Sequence, residues 1–366
     1  MISNQSQKGG DESTNIQAQH MVVNIGIDEK RAREICQEMT VQLRKEYSWE
    51  ALDLANARVN EFENKLMQKM AQVDGAMEAF ADPSFQLLLV EAQKTAAATE
   101  RPADHDLLSE LLVHRFNKSE NRSARAGISL AVEIVDKVSD EALLALTVAH
   151  AVNTFRPIAG DIAKGLDVLD GMFEKMIYNQ LPAGQEWLDH LDILNAVRIN
   201  PLGKMKTIGQ FYPEGLPGFV DVGISKDSDD HKKAIELLVQ NRISTSILVA
   251  HMLNEEFVRL DITGKNQIEE LFLTYAEPSG RGFVTEKMSV MQMDAMKQIY
   301  ALYSQDALIR QNNVSSFVKE WDRRPSLQKV RAWWDSISTG FAVTSVGKVL
   351  AHSNAQRCDK NLPPFD

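Results

Sequence analysis

Asp28-Glu29-Lys30-Arg31-Ala32-Arg33-Glu34-Ile35-Cys36-Gln37-Glu38-Met39-Thr40-Val41-Gln42-Leu43 begins the stretch on which the fold class turns. Asp28 is a strong N-cap residue, and Glu29 lies in the first turn, where the helix dipole favours an anion. Ala32, Ile35, Cys36, Met39 and Leu43 recur at helical spacing. The same pattern continues through Tyr47, Ala51, Leu54, Val59, Phe62, Leu66 and Met70, and neither Gly nor Pro interrupts residues 28–72. One helix over that span would run on the order of 65 Å at 1.5 Å per residue. So long a helix needs a partner, which predicts a bundle-like contact; the heptad register is too loose for a zipper.

Upstream, residues 1–27 have a different character. Gln5 to Gln19 is polar and turn-forming, with Gly9-Gly10 in it, and Met21-Val22-Val23-Asn24-Ile25-Gly26-Ile27 favours strands. Two short strands cannot bury a core alone. Stacked copies could, with Asn and Gln amides forming ladders along the stack. Residues 1–27 are therefore read as a β-forming oligomerisation tag, with Asn15, Ile16, Gln17, Val22, Val23 and Ile25 as its contact residues. A disordered polar tail is the plain alternative.

Downstream the chain reads as a mainly α, bundle-like body. Asp82-Pro83 starts a helix to about Ala98, and Arg101-Pro102 starts another with Leu107, Leu108, Leu111, Leu112 and Phe116 on its apolar face. Further helices are expected at 123–138, 139–152, 156–180 and 186–197. Ser139-Asp140-Glu141 is an N-cap with an acidic first turn. Residues 200–228 hold eight of the glycines and prolines and read as an irregular loop between two halves. The expected units are thus 28–72, 73–199, the 200–228 linker, and a second helical domain over 229–366. Within that last unit, helices are expected at 229–240, 243–260, 266–275 and 285–304.

Composition narrows the function classes. The net charge of −11 argues against wholesale binding to nucleic acid or to an anionic membrane. Cys36 and Cys358 are too few for a disulfide framework or a four-cysteine metal site. No apolar run spans a bilayer, and the first residues lack a signal-peptide pattern, so a cytoplasmic protein is expected. Phosphate-loop, dinucleotide, nucleophile-elbow and zinc-binding spacings are all missing, so no cofactor or metal is expected.

Four places could carry chemistry, each with a plainer reading. Asp104-His105-Asp106 has the doublet of metal phosphohydrolases, but the only upstream His is His20; a helix start is the plainer reading. Glu186 and His190 stand one turn apart and could share a proton, with Asp192 nearby; a surface pair is plainer. His150 in Leu146-Thr147-Val148-Ala149-His150-Ala151-Val152 reads as a core histidine, and Met288, Met291, Met293 and Met296 as adaptable core. From Trp321 to Lys360 seven basic residues face three acidic ones, a local net of +4. Arg323, Arg324, Lys329, Arg331 and Lys348 there could contact nucleic acid or an acidic protein surface, with Trp321, Trp333 and Trp334 as packing anchors. Gly340 to Thr344 reads as a short strand leading into a Thr-x-x-Gly helix start, in the manner of a winged-helix tail.

Gly9-Gly10-Asp11-Glu12-Ser13-Thr14-Asn15-Ile16-Gln17-Ala18, Val343-Thr344-Ser345-Val346-Gly347 and Leu350-Ala351-His352-Ser353-Asn354 together resemble a family of uncharacterised bacterial proteins. The resemblance implies a polar tag, a long helix, a helical body and a terminal Thr-x-x-Gly helix, with no catalytic residue to carry over. Similar tags precede bacterial conflict and defence proteins. Three readings follow: a homo-oligomeric helical scaffold or effector, a nucleic-acid-binding regulator with a basic C-terminus, and a hydrolase or nuclease with a dispersed site near 200–228.

Overall fold

The computed structural model describes residues 27–43, 48–117, 121–276 and 283–365. The six tag residues from Asn15 to Ile25, His20 and the 278–282 loop lie outside the described residues.

The chain is mainly α. The first helical stretch is two helices rather than one, α1 (Glu29–Leu43) and α2 (Trp49–Met70), with Ser48 extended at the start of α2. They fold back on each other. Arg33 Nη1 donates to Asn64 Oδ1 at 3.0 Å, and Thr40 Oγ1 to Glu63 Oε1 at 3.2 Å. In one straight helix Arg33 and Asn64 would stand roughly 45 Å apart. The continuous apolar pattern is satisfied within the chain, because Ala32, Ile35 and Cys36 from α1 and Phe62, Leu66 and Met70 from α2 enter one core.

The body continues with α3 (Pro83–Ala98), α4 (Pro102–Asn117), α5 (Arg122–Ile134), α6 (Asp140–Thr154), α7 (Ile162–Met176) and α8 (Glu186–Ile193). Asp82, Asn121, Ser139 and Asp161 cap α3, α5, α6 and α7 through their side chains. Then come β1 (Val197–Asn200), α9 (Ile208–Gly215) and α10 (Pro217–Val220). The expected 200–228 linker is thus core, with Ile208, Tyr212, Leu216, Phe219 and Val220 buried in the same cluster as the earlier helices. Its glycines serve close packing; a Cβ on Gly218 would collide with the carbonyl of Ile262.

A smaller α/β unit follows, with its own core around Ile224, Leu238, Leu260, Ile268, Met296 and Tyr303. It comprises β2 (Ile224–Ser225), α11 (Asp229–Gln240), β3 (Leu248–Ala250), β4 (Phe257–Leu260), β5 (Phe272–Ala276), β6 (Phe283–Lys287) and α12 (Val290–Ala301). The antiparallel order is β2-β4-β3, and β5-β6 is a separate hairpin. The helices expected at 243–260 and 266–275 are therefore strands and 3₁₀ turns. Ile247-Leu248-Val249 and Phe257-Val258 are short β-rich runs, and such runs fit either period. Of the methionine stripe, Met288 and Met296 are buried while Met291 is exposed.

The chain then returns to the body through α13 (Ala307–Asp322), α14 (Pro325–Asp335), β7 (Gly340–Val343) and α15 (Ser345–Cys358). A second helical domain over 229–366 is thus replaced by an inserted α/β unit. Phe317, Trp321, Val330, Trp334, Val349 and Leu350 join the first core. β7 pairs antiparallel with β1, Val197 opposite Val343. Thr344 caps α15 by accepting from Gly347 N at 3.1 Å, and its own N–H donates to Ala196 O at 3.0 Å. A Cβ at position 347 would strike the Ala196 carbonyl, which explains the glycine of the Thr-x-x-Gly start.

A buried side chain ties the small unit to the body. Arg259, on β4, is buried and donates through Nη1 to the carbonyls of Gly218 (3.1 Å), Leu260 (2.9 Å) and Ile262 (3.0 Å), and through Nη2 to that of Gly160. The Asp261 carboxylate is 4.0 Å away. Replacing Arg259 by Met would strand these carbonyls and is expected to cost on the order of 3–5 kcal/mol. Urea unfolding measures this; a loss under about 1 kcal/mol would show that the guanidinium is not the clamp.

Candidate functional site

α15 runs through the middle of the body against α4, α5 and α6, and its residues from Val349 to Ala355 are all buried. A helix enclosed on several sides must bury whatever polar residues it carries, and each then needs a partner. His352, Ser353 and Asn354 find theirs on α4 and α6. Ser353 Oγ lies 2.9 Å from His114 Nδ1, and His114 Nε2 lies 2.7 Å from Gln356 Oε1. His352 Nδ1 lies 3.2 Å from His150 Nε2, and Thr154 Oγ1 3.3 Å from His150 Nδ1. Asn354 Nδ2 donates to Thr147 Oγ1 at 2.8 Å.

The segment after α15 closes this network. The carbonyl of Pro363 accepts from His352 Nε2 and from Gln356 Nε2, both at 3.0 Å. The Phe365 ring centre stands 5.1 Å from that of His352 and 6.1 Å from that of His114. A carbonyl can only accept, so His352 carries a proton on Nε2; in its neutral ring Nδ1 then accepts from His150. His150 thus donates through Nε2–H to His352, while its own Nδ1 accepts from Thr154. The chemistry available is proton relay along fixed tautomers and activation of the Ser353 hydroxyl by His114. All these side chains except Gln356, Thr154 and Phe365 are buried, so in this conformation the network ties α4, α6, α15 and the tail together.

Of this network, local sequence marks His150 as a core histidine. His114 and Gln356 lie beyond such a local reading. The available signal was repetition: His114 in Leu112-Val113-His114, His150 in Ala149-His150-Ala151 and His352 in Leu350-Ala351-His352 are each set in apolar helical sequence.

The other sequence candidates fall apart in space. Asp104 pairs with Arg101 at 3.0 Å and accepts from Thr99, while Asp106 pairs with Lys65 at 2.8 Å. His105 turns away, its Nε2 donating to Ala96 O at 3.3 Å. No ion pair joins Glu186 to His190. His190 Nε2 accepts from Ser139 N, and Asp192 Oδ1 from Ile199 N, both at 3.2 Å. Among the described residues no group of three or more His, Cys, Asp or Glu is arranged to hold a metal.

Of the basic residues, Arg323 pairs with Glu320, Arg324 with Asp167 at 2.7 Å, and Arg331 with Asp322 at 2.5 Å. Lys329 and Lys348 are exposed. Near 200–228, Asp221 accepts from Tyr300 Oη and from Arg310 Nε at 3.1 Å, and the Asp221 carbonyl accepts from His251 Nε2 at 3.0 Å. No helix among the described residues is long and apolar enough to cross a membrane.

Burial pushes His150 down to about 3, with the neighbouring His352 adding to the effect, and pushes His251 down to about 4, from an ordinary 6.5. Both rings stay neutral in the fold while the unfolded chain takes up protons below pH 6.5. Stability is therefore full above that pH and falls as pH drops toward 4, by up to about 1.4 kcal/mol per pH unit for each ring. His150→Asn is expected to flatten the pH dependence of urea unfolding between pH 6 and 4 by about that slope. An unchanged slope would mean that the ring is not held neutral.

No curated protein and no solved structure matches the chain. A family pattern does match, over residues 26–363, which takes in both units and the α15 network; the chain belongs to that family, one of uncharacterised type.

Proposed function

We propose that this protein acts by assembly: a homo-oligomeric, non-catalytic helical scaffold or effector of the bacterial cytoplasm, working in defence against phage. The observation that carries the reading is the outer face of the small unit. Phe272 and Phe283 are 61% and 79% exposed on one face of the β5-β6 hairpin, and Val290 and Met291 at the start of α12 are 77% and 76% exposed. The opposite face is turned inward, with Leu273 against the small core and Tyr275 Oη accepting from Gln292. Large apolar side chains this exposed favour a protein partner.

A second copy is the partner that fits. Each chain carries, in residues 1–27, strand-favouring sequence that cannot bury a core alone and gains one in company. Symmetric self-association is also the commonest form of assembly. Bacterial defence rests on the resemblance of the tag. The buried histidines support a non-catalytic reading, since their ring nitrogens are engaged in holding helices and tail together.

Light scattering tests this. The full chain is expected at a multiple of 41.0 kDa. Deleting residues 1–27 should lower that mass, as should Phe283→Ser with Met291→Ser, without lowering the unfolding temperature. A full-length mass of one chain, or a mass that neither change alters, would reject assembly.

A further inference from the structure

Residues 177–183, which follow α7, separate two adjoining cavities of about 600 and 670 Å³, and Tyr178 and Asn179 line both. Sites for small organic molecules span on the order of 300–1,000 Å³. Charged side chains line the first cavity beside Leu107 and Leu143, and those charges sort into pairs. Arg101 lies 3.0 Å from Asp104 and 2.7 Å from Asp140; Glu100 lies 4.0 Å from Arg58; Lys175 is held 2.9 Å from Asp359.

Arg357 is the exception. Among the described residues no carboxylate lies within 4.0 Å of it. Its Nε donates to Asn354 Oδ1 at 2.9 Å, and its guanidinium carbon sits 5.6 Å from the centre of the Tyr178 ring. Asn354 is buried and fixed in turn by Thr147. The fork is therefore held in place by a bond that leaves its two terminal amino groups without a hydrogen bond to any described residue. A planar, positioned, unneutralised guanidinium is the donor that suits a carboxylate or a phosphate.

The second cavity is apolar, walled by Leu181, Pro182, Ala332 and Trp333 with Lys329 among its lining residues. The Trp333 indole N–H is taken by the Pro182 carbonyl at 3.0 Å and the ring is mostly buried, so Trp333 offers a ligand only the apolar surface that reaches the cavity. We propose that the two cavities form one binding site for a small organic oxyanion: its phosphate or carboxylate on Arg357, its flat ring against Pro182 and Trp333, and Tyr178 at the join. The site is separate from the exposed face of the small unit, so it stands or falls independently of assembly.

Calorimetric titration of the full chain tests it with three probes: adenosine 5′-monophosphate, adenosine and inorganic phosphate. The nucleotide is expected to bind more tightly than either half alone. Arg357→Gln should weaken it at least about tenfold, toward the affinity of adenosine, because a charge-assisted hydrogen bond is lost. Ala332→Trp, at an exposed position on α14, should fill the apolar cavity and abolish binding without touching the core. Failure of the nucleotide to bind, phosphate alone binding as tightly, or binding that survives both substitutions would overturn the proposal. Unfolding temperatures of both variants, unchanged from the parent, separate loss of binding from loss of fold.

Discussion

The arrangement of this chain depends on the burial of one positive charge. Arg259 belongs to the small unit by sequence, yet two of its four carbonyl acceptors, at Gly160 and Gly218, belong to the helical body. Removing a guanidinium from water costs several kcal/mol unless nearly every donor is met. Here four carbonyls meet its two terminal nitrogens, Nε is buried without a partner among the described residues, and Asp261 stands 4.0 Å away. Burial lowers the Arg259 pKa, but an arginine keeps its proton, so the charge must be solvated by backbone dipoles. That requirement leaves little freedom in how the units sit. Gly160 and Gly218 follow from it, because a Cβ at either would collide with backbone at 261–262.

The second constraint is the path of the chain itself. It leaves the body near Val220, builds an α/β unit with a separate core, and returns at α13 to complete the first core. The last helix is then enclosed on several sides. A central helix could have been wholly apolar, but α15 carries His352, Ser353 and Asn354 at its most buried positions. Each is matched by a polar residue on a neighbouring helix, and the Pro363 carbonyl takes two of the remaining donors. A satisfied buried network of this kind specifies one packing among the many that apolar surfaces would accept.

This bears on function in a simple way. The groups with the most familiar catalytic chemistry, the histidines and Ser353, are enclosed and engaged. Two features that reach solvent with unmet potential are of other kinds: large apolar side chains on the small unit, and the guanidinium of Arg357 beside a cavity walled by Pro182 and Trp333. Surfaces of the first kind hold proteins, and sites of the second kind hold small molecules.

Much of the fold was legible in the residues. Helix starts at Asp82, Ser139 and Thr344 could be read from cap chemistry, which is local: a side chain, a backbone N–H three residues on, and nothing else. The strand at 340–343 and the tryptophan anchors were legible for the same reason. The misreadings have a common physical source. Residues 28–72 show an unbroken apolar pattern, but a pattern cannot say whether its partner is another chain or its own second half. Residues 243–260 are apolar runs too short to distinguish period 2 from 3.6. Residues 200–228 looked like linker because glycine and proline mark loops, and equally mark places where backbones must touch. The network of His114, His150, Ser353 and His352 was beyond local reading altogether, since its members lie up to about 240 residues apart. By itself, then, the sequence determined the helical class, the caps and the apolar faces, because those depend on neighbours within a turn or two. Only the tertiary structure decided which faces meet, where the charge of Arg259 is dissolved and which polar groups remain open, because burial belongs to the whole folded chain.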